Sequence, residues 1–157
     1  MDVFGIPIFA TNKWKTPANI KKLYHVSSIM AELIDNDNDG CADDPAALKI
    51  LLAKSTAKDM PWKGYKIALL LTDGVQTNEM DIEVKGKGYF GKKSMHLDDC
   101  LPQGSGLNYG KDGHEDATIE EVYHLMNSDG HVLAHPKELG IGWTSNSQLT
   151  KAMDKAR

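Results

Sequence analysis

The run YKIALLLT, residues 65–72, constrains the fold more than any other stretch. It is almost continuously apolar but short, so it reads as a strand buried on both faces. A strand of that kind needs neighbouring strands and apolar cover above and below, and the rest of the chain must supply them. The 157 residues suit one domain, 1–157, with a single core.

The flanking segments provide candidates. VFGIPIFA, residues 3–10, alternates at Phe4, Ile6, Ile8 and Ala10, and Pro7 lacks an N–H, so an edge strand is expected. In TPANIKKLYHVSSIMAELI, Thr16 is a good N-cap and Pro17 fits the first helical position. Ile20, Leu23, Val26, Ile29, Met30, Leu33 and Ile34 then share one helical face. DPAALKILLAKS opens a second helix with Asp44 as cap and Pro45 in its first turn. DIEVKGKGYF, residues 81–90, alternates and reads as a half-exposed strand, and residues 101–113 as a long glycine-rich loop. A helix is expected over 117–128, stopping at Gly130. A last helix carries Ser145 and Gln148 at capping-box spacing. The order β, α, α, β, β, α, α lacks regular βαβ alternation and predicts an α+β fold, a small mixed sheet with packed helices.

Charge narrows the partners. Lys plus Arg number 18 against 22 Asp plus Glu, a formal net charge of −4, which speaks against nucleic acid or an anionic membrane. No apolar run has the length of a membrane span. MDVFGIPIFA begins with an acid and lacks a basic leader region, so a secreted form would carry a leader outside this chain. Neither Cys41 nor Cys100 sits in a CxxC pair, which excludes a cysteine-rich zinc site.

The strongest chemical signal is DNDNDG, residues 35–40. Asp35, Asp37 and Asp39 stand two apart with Gly40 behind them, the opening half of a calcium loop. Hard Ca²⁺ takes six to eight oxygens, and alternate residues of a tight loop point inward. Glycine permits the turn that brings in the next carbonyl, that of Cys41, and Asp43 offers a further oxygen. The second half departs from an EF-hand: Ala46 stands where the bidentate Glu belongs, and Asp44 and Pro45 start a helix early. The expected role is structural, pinning the corner between two helices.

The second signal is TIEEVYHLM, residues 118–126. At about 100° per residue, Glu120, Glu121 and His124 share one face, opposite Ile119, Val122, Tyr123 and Met126. Glu120 with His124, or Glu121 with His124, can therefore reach one ion. The frame resembles the H-E-x-x-H helix of zinc peptidases with Glu120 in place of the first histidine, which implies a zincin-like site. There Glu121 would be the base, and Glu120 and His124 ligands of Zn²⁺ or another divalent metal. A third ligand would come from His131 or from His25, with His114 and His135 behind them; the metzincin third histidine would fall at Gly130, so that pattern fails. The same face also suits a solvated first turn, because Thr118 and Glu121 have capping-box spacing.

Other signals are weaker. KGKGYFGKK mixes lysines with aromatics and reads first as a solvated hairpin, and Trp14, Trp62 and Trp143 are candidates for a ligand cleft. The combination of HVSSIMAELIDNDNDG, DATIEEVYHLM and LTKAMDKAR resembles a set of largely uncharacterised, often secreted proteins of bacteria and marine invertebrates. The similarity covers most of the chain and implies secretion and metal binding without supplying an activity. In a secreted protein, a Cys41–Cys100 disulfide is expected. Two functions stay open: a zincin-like metallohydrolase on an unknown substrate, or a non-enzymatic, calcium-stabilised extracellular protein of a matrix or mineral surface.

Overall fold

Strand β3 (Lys66–Thr72) is the axis of the fold, buried from Ile67 to Thr72 as its composition requires. The computed structural model describes residues 1–56, 60–73, 77–102, 111, 116–140 and 146–156. β3 pairs in parallel with β2 (Ile6–Ala10) on one side and with β4 (Tyr89–His96) on the other, and β1 (Asp2–Val3) adds an antiparallel edge to β2. The mixed sheet of order β1-β2-β3-β4, packed with helices, makes a small α+β domain.

The pleat of β3 sorts the core into two layers. Ile67, Leu69 and Leu71 join Ile6, Ile8 and Met95 in the main core, with Ala68 and Leu70 on the opposite face. Helix α1 (Ile20–Ile34) closes the main face with Leu23, Val26, Met30 and Ile34. Each such side chain, fully buried, is worth about 1.5–3 kcal/mol. Helix α2 (Pro45–Leu52) adds Leu51, and helix α4 (Ala117–Met126) adds Val122, Leu125 and Met126. Helix α3 (Thr77–Gly86) covers the other face with Met80 and Val84.

Between β2 and β3 the chain passes through α1 and α2 on one face; between β3 and β4 it passes through α3 on the other. Strand order advances in one direction throughout. The two crossovers are therefore of opposite hand, although parallel crossovers are right-handed in about 98% of cases. One consequence is that the carboxyl ends of β2 and β3 send the chain to opposite faces; at that edge Thr72 Oγ1 lies 2.8 Å from His96 Nδ1.

Several segments differ from expectation. Residues 3–10 are not one strand: Phe4 and Gly5, at φ 50° and 84°, form a two-residue turn that pairs Val3 with Ile6. Both central positions of such a turn need positive φ, which glycine supplies freely and phenylalanine does not. Helix α1 starts at Ile20 rather than after Thr16. The Thr16 hydroxyl donates to the Lys13 carbonyl, closing a 3₁₀ turn (Asn12–Lys15) whose Trp14 is buried and donates from Nε1 to the Thr72 carbonyl at 2.8 Å. Most of residues 81–90 is helical, not extended. Met80 and Val84, four apart, face Ala68 and Leu70, while Ile82 is 72% exposed, so the helical period wins over the alternation. KGKGYFGKK is accordingly the end of a helix, a turn at Gly88 and a strand, not a hairpin.

Helix α4 does not stop at Gly130. It widens into a π turn (Asn127–His131) and continues as α5 (Val132–Ala134). Gly130 is buried against Leu51, whose Cδ1 would stand 3.1 Å from an added Cβ. Ile119 and Tyr123 are more than half exposed, so the buried face of α4 is rotated toward Thr118 and Leu125. In the last helix, α6 (Gln148–Ala156), Ser147 Oγ accepts the Thr150 N–H; Ser145 of the expected capping box lies outside the described residues. Among the described residues no helix is long and apolar enough to cross a membrane.

Candidate metal centre

The acidic loop begins where α1 ends. Asp35 is the C-cap residue, buried, and its two carboxylate oxygens accept the N–H groups of Asp39 and Gly40 at 3.1 and 2.9 Å. Asp37 Oδ1 accepts from Asp39 N–H, and Asp39 Oδ1 from Cys41 N–H. Asn38 and Gly40 take positive φ, 59° and 87°, which turns the chain tightly enough for alternate side chains to converge. As a result Asp35, Asp37 and Asp39 each offer a carboxylate oxygen within 4.8 Å of the others. Oxygens around one Ca²⁺, each at 2.3–2.6 Å from the ion, lie within about 5 Å of one another. Asp43 instead accepts from Asn36 N–H, closing the base of the loop, and its own N–H donates to the Ile34 carbonyl.

Helix α2 follows at once because Asp44 caps it. Asp44 Oδ1 accepts from Ala46 and Ala47 N–H at 3.1 and 3.0 Å, and Pro45 occupies the first turn, as the sequence predicts. Asp44 Oδ2 receives His135 Nε2 at 2.7 Å, with His131 Nε2 at 3.8 Å. Burial opposes ionisation of Asp44, but the Ala47 N–H and the His135 ring hold its carboxyl below the ordinary range.

On α4, Glu120 is exposed, while Glu121 and His124 are half-buried. Glu121 Oε2 lies 3.8 Å from Lys93 Nζ, and His124 stacks obliquely beside Tyr123. His25 comes close to this helix because α1 packs on α4. Its Nε2 lies 2.5 Å from Oδ2 of Asp116, the N-cap of α4, whose other oxygen accepts from Thr118 N–H. Burial works against the Asp116 charge, yet Thr118 and His25 keep its carboxyl below the ordinary range. His131 is turned toward Asp44. Among the described residues, Asp35, Asp37 and Asp39 are the one group of three metal-ligating side chains with atoms this close together, and Glu120, His124, His25 and His131 do not form another. His114 lies outside the described residues, as does Trp143.

The expected Cys41–Cys100 bridge is not formed; both thiols are free. Cys100 is buried beside the first turn of α1, with Sγ 3.9 Å from the Lys22 carbonyl, whereas Cys41 is exposed beyond the last turn. Twelve residues of helix separate the two by about 18 Å, and a disulfide needs Cα atoms roughly 4.4–6.8 Å apart. Burial raises the Cys100 thiol above its ordinary range, and Asp39 does the same to Cys41.

The histidine–carboxylate pairs escaped sequence reasoning. Each joins residues 91 positions apart, and no local pattern marks them. Comparison with protein families, with curated proteins and with solved structures finds no match to this chain.

Proposed function

We propose that this chain is a calcium-stabilised extracellular binding protein in which one Ca²⁺, held by Asp35, Asp37 and Asp39, fixes the joint between α1 and α2. The observation that carries the reading is the convergence of those three carboxylates in a D-x-D-x-D-G turn. The Cys41 carbonyl and Asp43 would complete the oxygen set. Without a bidentate Glu at Ala46, affinity falls in the range of extracellular modules, roughly 10⁻⁴–10⁻³ M, so the loop would be filled where calcium is millimolar. The partner in this reading is a component of a matrix or mineral surface. Thermal melting with millimolar CaCl₂, then with chelator, tests it: calcium should raise the melting temperature, magnesium should do so less, and Asp37→Ala should abolish the response. A wild-type melt indifferent to calcium overturns the proposal.

A second reading is a zincin-like hydrolase on α4, with Glu121 as base and Glu120, His124 and His25 as ligands of Zn²⁺. What favours it is that Glu121 and His124 lie half-buried on one turn of α4, with α1 packed alongside. Metal analysis of the purified protein decides between them. Bound zinc lost in His124→Ala, with hydrolysis lost but zinc kept in Glu121→Gln, supports the enzyme; the absence of zinc from wild type removes it.

A further inference from the structure

Two irregularities of the backbone meet at one place. The register of β4 against β3 slips between Ala68 and Leu69: Ala68 pairs with Gly91 and Leu69 with Lys93, so Lys92 is the extra residue of a bulge. Opposite it, the π turn Asn127–His131 carries Asp129. Bulges and π turns give up regular ladder bonds and recur where they aim a side chain. Here they bring Lys92 Nζ to 3.2 Å from Asp129 Oδ1 and to 3.3 Å from the centroid of the Trp62 ring. Both charged side chains are largely buried, at 16% and 14% exposure. Phe90 leans on the same indole at 5.9 Å, so Trp62 is held on two sides.

The ion pair leaves one valence over. Asp129 Oδ2 is buried and has no hydrogen-bond partner. Burial raises the carboxyl above its ordinary range although Lys92 works the other way. Asp129 also forms part of the wall of a cavity of ≈ 420 Å³, lined mainly by apolar surface from Ile50, Ala53, Trp62, Ile67 and Leu133. That volume lies within the range of small-molecule sites, which combine apolar walls with a few placed polar groups. The last torsion of an aspartate is soft, and a modest turn carries Oδ2 toward the cavity as the flexible Lys92 side chain follows Oδ1.

We propose that this cavity binds a small, flat, neutral apolar molecule carrying one hydrogen-bond donor, of the class of indole or a simple phenol. Its donor rests on Asp129 Oδ2 and its ring system lies among Trp62, Ile67 and Leu133. Lys54 in the lining and Lys92 behind it disfavour a cation, and Asp129 disfavours an anion at its side of the cavity, whereas an N–H or O–H satisfies the orphaned oxygen. A flat body suits the fixed indole of Trp62, on which aromatic rings pack offset or edge-on.

The test compares indole with 1-benzofuran, which has nearly the same shape and no donor, by NMR titration of the wild-type protein. Indole should give saturable shifts at the Trp62 side-chain N–H and the backbone of residues 129–133, and benzofuran should bind at least about tenfold more weakly. Ala53→Trp, which fills the cavity from its rim, should lose indole binding, and Asp129→Leu should make the two ligands equal. Equal affinities on wild type overturn the donor contact. No saturable shift at millimolar indole, or binding retained in a folded Ala53→Trp, overturns the site. Should Asp129→Leu fail to fold, the wild-type ligand pair decides alone.

Discussion

Asp44 performs two tasks through its two oxygens, and a pair of substitutions separates them. Oδ1 caps α2 through the N–H groups of Ala46 and Ala47, and Oδ2 takes His135 at 2.7 Å. Replacing a capping aspartate by alanine costs about 0.5–2 kcal/mol. The His135 side chain is 39% exposed, so solvent screens that pair to a few tenths of a kcal/mol. D44A should therefore lose roughly 1–2 kcal/mol in total, which in a domain of this size lowers the melting temperature by roughly 2–8 °C. D44N keeps a good cap and gives up only the charge, so it should stay within roughly 0.5 kcal/mol of wild type. Because the folded carboxyl titrates below its ordinary value of 3.8, the stability that its ionised form supplies is present above that pH and disappears as the pH falls through the folded value. Urea unfolding followed by circular dichroism at pH 7 and pH 3 measures both effects. A D44N protein as unstable as D44A at pH 7, or a D44A protein indistinguishable from wild type, would refute the division of roles.

One further substitution and a thiol reagent probe the packing. Gly91→Ala places a Cβ 2.2 and 2.5 Å from Leu70 Cδ1 and Cγ, and should destabilise by about 1–3 kcal/mol in urea with little change in m-value. Intact mass before and after reduction should be unchanged, and a thiol reagent should modify Cys41 in the native protein but Cys100 only on unfolding. The Cys41 reaction should run more slowly than that of a small free thiol at pH 8, because Asp39 disfavours the thiolate.

What was legible in the chain was what neighbours in sequence decide. The unbroken apolar run marked β3, Asp44 and Pro45 marked the start of α2, and the alternate aspartates marked a loop whose oxygens do converge. Misreadings arose where two local patterns competed or where the partner was distant. Residues 81–85 alternate like a strand, yet Met80 and Val84 needed to meet Leu70, and packing chose the helix. The hairpin at Phe4–Gly5 depends on positive φ at a phenylalanine, which local preference disfavours. The pairing of Lys92 with Asp129 depends on a bulge that no spacing announces, and the distance between Cys41 and Cys100 on the length of a helix lying between them.

The bulge also bears on what the sheet does when two copies meet. β4 is eight residues long, and no described strand pairs with its outer side, so it offers a ladder of backbone groups on which a second chain could nucleate. Two such strands meeting antiparallel about their middles would set Lys92 and Lys93 of one against Lys92 and Lys93 of the other. Both lysines already have carboxylate partners, so what disfavours the pairing is the extra residue, which breaks the even repeat that stacking in register demands. The same backbone irregularity that turns one lysine inward thus interrupts the regular ladder that self-association along β4 would need.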